Sequence, residues 1–217
     1  TPSNSSAASD VYKRQDELIP SGETSSYRSN PIRLAEFALS RKAPDYVELA
    51  KRIQKGEIAR EQGEIPENEV LELQKVKAQI QTEFVNMNWE NTGIGSTIFA
   101  EKPGDGSARE QAASCQKVLG GWANIAREYA TKRYRSNLIN WGMLPFLFTD
   151  EEMVFVKGDY LYIPDILEAI KEGRSDVTAY VVKEELQPFT LKLGEMTQDE
   201  RKILIQGCLI NYYKLSV

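Results

Sequence analysis

The chain of 217 residues has no histidine and only two cysteines, Cys115 and Cys208. Without histidine the commonest general base is missing, so any proton transfer must use another side chain. Two cysteines outside a C-x-x-C pair cannot hold an iron–sulfur cluster by the usual ligation. They read as reduced, packed residues of a cytoplasmic protein. No apolar run reaches the ~20 residues of a membrane-spanning helix. The net charge of -5 argues against general nucleic-acid binding. Lys132, Arg133 and Arg135 read as a solvated helix face. No internal repeat is present.

What the chain does have is an ordinary soluble composition, 41% hydrophobic, and one unusual stretch. Gly104-Asp105-Gly106-Ser107-Ala108-Arg109-Glu110-Gln111-Ala112-Ala113 runs a glycine-rich turn straight into a helix start. Glycines let bare N–H groups approach a ligand. The first N–H groups of a helix are unpaired and carry partial positive charge, so they attract an anion. Arg109 adds a planar fork suited to carboxylate or phosphate. Ser107 places a hydroxyl in the middle. The same residues, Ser107-Ala108-Arg109-Glu110, also spell a capping box, S-x-x-E, which only starts a helix. A nucleotide-type phosphate loop is disfavoured, because its lysine and third spaced glycine are missing.

This stretch resembles the G-x-G-S-S-R-E-x-A motif of the C-terminal swivel domain in the aconitase and isopropylmalate isomerase superfamily. Downstream, Asn137-Leu138-Ile139-Asn140-Trp141-Gly142-Met143-Leu144-Pro145 resembles the family's N-L-I-N-x-G-x-L-P. Lys157-Gly158-Asp159 matches a Gly-Asp turn. Upstream, Asp16-Glu17-Leu18-Ile19-Pro20-Ser21-Gly22 and then Ser26-Tyr27-Arg28-Ser29-Asn30 match a T-D-x-I segment followed by an arginine loop. Motifs in this order cover most of the chain from Asp16.

The resemblance implies an α/β fold, a layered swivelling β/β/α domain with an inserted charged helical excursion at about 45–85. It implies part of a hydro-lyase that dehydrates and rehydrates a hydroxy di- or tricarboxylic acid. Ser107 would be the base. Arg28 and Arg109 would bind substrate carboxylates, with Gly106 and Ala108 beside them and Asp16 and Gly104 in support. The family's second serine is Ala108 here, so one substrate contact is lost and citrate is not to be assumed. A 4Fe-4S cluster would belong to the complete enzyme, bound by missing upstream domains and not by this chain. Partners would be a small hydroxy-polycarboxylate and the cluster-binding domains of the same polypeptide or of a large subunit. Two alternatives stay open: a non-catalytic carboxylate- or phosphate-binding regulatory module, and a stand-alone small subunit.

Residues 1–15 are polar and back-translate onto a sequencing-library adapter, from Ser6 to Gln15. They are expected to be a non-native, disordered segment that packs against nothing. Residues 16–217 are then the swivel domain, a fragment of a longer protein.

Local patterns sketch the elements. Ile32 to Ser40 is helical. Asp45 begins a helix with Tyr46, Leu49, Ala50 and Ile53 on one stripe, interrupted at Gly63 and Pro66. A second helix carries Leu73, Val76, Ile80 and Phe84. Both read as amphipathic with solvated outer faces. From Gly95 the order is strand (Ser96–Ala100), glycine turn, helix to about Leu119, strand (Trp122–Arg127), helix (131–141) and strand (Leu144–Phe148), a parallel pattern. Ala108, Ala112, Cys115 and Leu119 form a buried stripe. A hairpin is expected from Val154–Val156 to Tyr160–Tyr162. A helix follows at Ile163–Glu172, then two strands around Gln187-Pro188. A single last helix, capped by Thr197, runs to about Tyr213.

Overall fold

The computed structural model describes residues 7–8, 18–20, 24–27, 29–105 and 109–215. Among them the strands are β1 (Ala7–Ala8), β2 (Ser96–Ala100), β3 (Gly121–Ala126), β4 (Leu144–Leu147), β5 (Tyr160–Tyr162), β6 (Asp176–Val182) and β7 (Leu186–Lys192). They form one mixed sheet in the order β1-β2-β3-β4-β7-β6-β5. β2, β3 and β4 are parallel. β7, β6 and β5 are antiparallel, and β7 joins β4 through one residue pair, Leu147 with Lys192. The α/β class and the parallel succession over 96–148 are as expected. Ala7 and Ala8 pair in parallel with Ile98 and Phe99, whereas the sequence suggested that this segment touches nothing.

The helices are α1 (Pro31–Ala35), α2 (Tyr46–Glu61), α3 (Pro66–Glu69), α4 (Glu72–Ile80), α5 (Arg109–Val118), α6 (Lys132–Asn140), α7 (Ile166–Glu172), α8 (Gln198–Ile205) and α9 (Leu209–Leu215). They cover both faces of the parallel strands, which is why β2 is buried along its whole length. Alternation assigns the faces. Ile98 and Ala100 join Ala112, Ala113, Cys115 and Leu138 of α5 and α6. Phe99 between them points the other way, into a cluster with Phe148, Phe155, Phe189, Ile166 and Ile203. The excursion has a core of its own: Ile53, Leu73 and Ile80 are fully buried and pack with Tyr162, Val182 and Leu186.

Four expectations are corrected. Val154–Val156 is not a strand, and β5 pairs with β6 instead. Asp159 Oδ2 accepts the Val156 N–H at 2.9 Å, which closes a tight turn, and Phe155 buries itself against Phe99, Phe148 and Phe189. The late hairpin turns at 183–185, with Pro188 inside β7 opposite Tyr180. β4 meets β7 only near Lys192, so at Pro188 no ladder bond is forfeited on that edge. The last helix breaks at Gly207, whose φ is 90°, leaving α8 and α9. Arg135 is not solvated: it reaches Glu200 at 3.2 Å and the Glu195 carbonyl at 2.8 Å, tying α6 to α8. Thr197 does cap α8, in a complete capping box with Glu200.

Candidate functional site

The parallel strands all point their C-terminal ends toward one edge of the sheet. In such sheets ligands bind at that edge, in the loops that follow the strands. The glycine-rich turn follows β2 there and leads into α5. Of the residues singled out by the sequence, Gly104 and Arg109 are described. Asp16, Arg28, Gly106, Ser107 and Ala108 lie outside the described residues.

Gly104 is buried with φ 93°, and an added β-carbon would lie 2.4 Å from Cβ of Tyr134. Only glycine fits there. Its carbonyl accepts from Thr131 Oγ1 at 3.1 Å. Thr131 is the N-cap of α6 and also accepts the Tyr134 N–H at 3.2 Å. Tyr134 is wholly buried. Its hydroxyl accepts from Gln116 Nε2 at 3.0 Å and from Asn124 Nδ2 at 2.8 Å. The floor of the turn is therefore a pinned aromatic ring joining β3, α5 and α6. Burial pushes the Tyr134 phenol well up, against the smaller pull of its two amide partners. It stays neutral and is no base at ordinary pH.

Arg109 opens α5 and is partly buried. Its Nε is enclosed and has no hydrogen-bond partner among the described residues. A buried guanidinium donor left unpaired is costly, unless something it binds completes it. Arg127, at the end of β3, makes the contrast. Its fork bonds the carbonyls of Phe148 at 3.3 Å, Glu151 at 3.2 Å and Asp150, and its plane lies 4.6 Å from the Phe148 ring. Arg127 is spent on structure; Arg109 has a donor to offer.

Glu110 Oε1 accepts the Trp141 indole N–H at 2.5 Å, while the Ser107 half of the expected capping box lies outside the described residues. The segment next to Arg28 packs close by. Tyr27 lies against the cluster containing Ala112, Ala113 and Tyr134. Two hollows of about 350 and 470 Å³ are lined by neither Gly104 nor Arg109.

The chain's cysteines do not suit a cluster. Cys115 is buried in α5 with its thiol pushed up to about 12 by desolvation, and Cys208 is free at the α8–α9 break. Among the described residues no group of three or more His, Cys, Asp and Glu is placed to hold a metal ion.

Sequence reading missed Tyr134, Asn124 and Gln116, the polar support beneath the turn. The only advance signal was Thr131, an N-cap residue three before Tyr134 at the start of a helical pattern.

Comparison with known proteins fits this layout. Residues 35–151 match the aconitase C-terminal domain family. The chain is 31% identical over 133 residues to the mitochondrial homocitrate dehydratase of Saccharomyces cerevisiae, covering 58% of this chain and 17% of that protein. It is 33% identical over 133 residues to aconitate hydratase A of Rickettsia bellii, covering 58% and 15%. It is 34% identical over 117 residues to the homoaconitase small subunit of Thermus thermophilus, covering 54% and 63%. The chain thus spans only a minor part of the two long relatives and under two thirds of the small subunit. In fold it is similar to 3-isopropylmalate dehydratase from Methanocaldococcus jannaschii, with TM-score 0.58 and 22% identity over 98% of this chain and 93% of that one. The matched range holds β2, β3 and β4, the glycine turn, Arg109 and the helix that supports them. With more than half its length in that match, this chain belongs to the aconitase C-terminal domain family.

Proposed function

We propose that this chain supplies the proton-transfer and carboxylate-binding half of a hydro-lyase site. The observation that carries the reading is Arg109: a guanidinium in the first turn of α5, at the ligand edge of a parallel sheet, with an enclosed donor that has no partner among the described residues. The substrate is a hydroxy di- or tricarboxylate, the class handled by the dehydratase relatives.

In the proposed reaction a proton leaves the carbon next to a carboxylate. That carbon is a weak acid until the charge spreading onto the carboxylate is held. Arg109 holds it with two parallel N–H groups, and Arg28 is its second cation. Ser107 Oγ receives the proton. A serine hydroxyl does this only where positive charge favours its ionised form, as Arg109 and the N-terminal end of α5 do. Expulsion of the hydroxyl needs a Lewis acid that this chain's cysteines do not hold, so the proposal includes a cluster-bearing partner. That partner is either the rest of a longer polypeptide or a large subunit.

The test is kinetics on the complete enzyme. Ser107→Ala should lower kcat by orders of magnitude while substrate still binds, because the cations remain. Arg109→Lys should raise KM, since lysine cannot make the two-pronged contact. Near-normal turnover by Ser107→Ala would leave a helix cap costing about 1 kcal/mol of stability and would favour a non-catalytic anion module.

A further inference from the structure

One helix grips the glycine-rich loop at both stems. On the incoming side, the Ala130 N–H donates to the Pro103 carbonyl at 2.9 Å, and Thr131 and Tyr134 hold Gly104 as described above. On the outgoing side, Trp141 holds the Glu110 carboxylate and Asn137 holds its backbone. With its amide oriented to satisfy both partners, Asn137 Oδ1 accepts the Glu110 N–H at 3.1 Å and Nδ2 donates to the Arg133 carbonyl at 3.2 Å. Every one of these contacts comes from α6 or the residues that flank it.

We propose that α6 is a positioning brace for the substrate loop, with Asn137 and Thr131 as its two grips. This deepens the proposed function and rests on it. Four residues, 105–108, separate Gly104 from Arg109, so anchoring both stems bounds the reach of Ser107 by chain length alone. Proton transfer falls steeply with small misplacement of the base. Asn137 also takes up one of the first N–H groups of α5, which fixes the helix start without adding a charge that would compete with an anion. The Arg109 Nε, which has no partner among the described residues, is left to the ligand.

The brace has an activity-independent readout. In hydrogen exchange on the full chain, Asn137→Leu should speed the amides of residues 109–112 at least tenfold, with those of β6 and β7 unchanged as an internal reference. Asn137→Asp keeps the acceptor and should restore protection. Thr131→Val should loosen the other stem, and it serves if Asn137→Leu does not fold. In the complete enzyme, Asn137→Leu and Thr131→Val should each lower kcat about 10- to 100-fold with a smaller change in KM, and Asn137→Asp should recover most of kcat while raising KM, because its added charge competes with the anion. A uniform loss of protection with kcat intact would overturn the brace and leave Asn137 a residue of general stability. Loss of turnover in Ser107→Ala but not in the brace variants would overturn this inference alone. Near-normal turnover in Ser107→Ala would sink the proposed function, and unchanged exchange in Asn137→Leu would then remove the brace as well.

Discussion

Replacing Gly104 by alanine separates two costs that are usually confounded. The backbone there has φ 93°, and an added methyl would sit 2.4 Å from Cβ of Tyr134. That neighbour is the root of a fully buried side chain, so it cannot swing aside. The positive φ costs roughly 1–2 kcal/mol for a residue with a β-carbon. Forcing an atom into the packed contact adds about 1–3 kcal/mol, for a total near 2–5 kcal/mol. Gly63 is the control: its φ is 77° and nothing lies within 4 Å of its added β-carbon. Gly63→Ala should lose only the backbone cost, and the entropy change in the unfolded chain is common to both variants. Urea unfolding of the two variants, analysed with a shared slope, should show Gly104→Ala less stable than Gly63→Ala by about 1–3 kcal/mol. Equal losses would mean that the turn does not rest on Tyr134, and the floor of the candidate site would have to be redrawn.

Two further outcomes follow from burial. Tyr46, Tyr129 and Tyr134 all have phenols raised by desolvation, Tyr46 to about 12. The unfolded chain ionises near pH 10, so their contribution is present below that pH and is lost as pH rises through the folded values. Alkaline unfolding should therefore set in above about pH 10, and tyrosinate absorbance should show a fraction of phenols ionising only with unfolding; smooth titration of every tyrosine in the folded state would contradict it. With an aromatic disulfide reagent, native protein should yield one fast thiol, Cys208, while Cys115 reacts only after denaturation; rapid reaction of both would show α5 to be loosely packed.

The parallel half of the fold was legible in the sequence because its signals are local. Apolar runs such as Ser96–Ala100, the glycine turn and helix stripes such as Ala112 and Cys115 each declare themselves within a few residues. The antiparallel half was misread where distant partners decide. Val154–Val156 has strand composition, yet Phe155 gains more by joining three other phenylalanines than its segment would by pairing. Gln187-Pro188 looked like a turn because proline lacks a donor, but whether the donor is missed depends on which strand lies alongside. Arg109 was identifiable from its place at a helix start. Its support was not: nothing in the string shows that Asn137 reaches Glu110, since both belong to helices whose relative placement is set by the sheet between and beneath them.

The single residue pair that joins β4 to β7 has a consequence for how the two halves tolerate substitution. The family match ends at residue 151, four residues beyond β4, so the border of recognisable sequence falls where the sheet changes from parallel to antiparallel. On one side of that border side chains are tied to specific partners: a glycine against a ring, an asparagine against an amide, a guanidine against three carbonyls. On the other side, β6 and β7 need only present an apolar face, here Val177, Ala179, Val181, Phe189 and Leu191, and many residues of suitable volume meet that demand. Substitutions of similar volume should therefore be borne more easily in the antiparallel half than among the paired side chains of the parallel half.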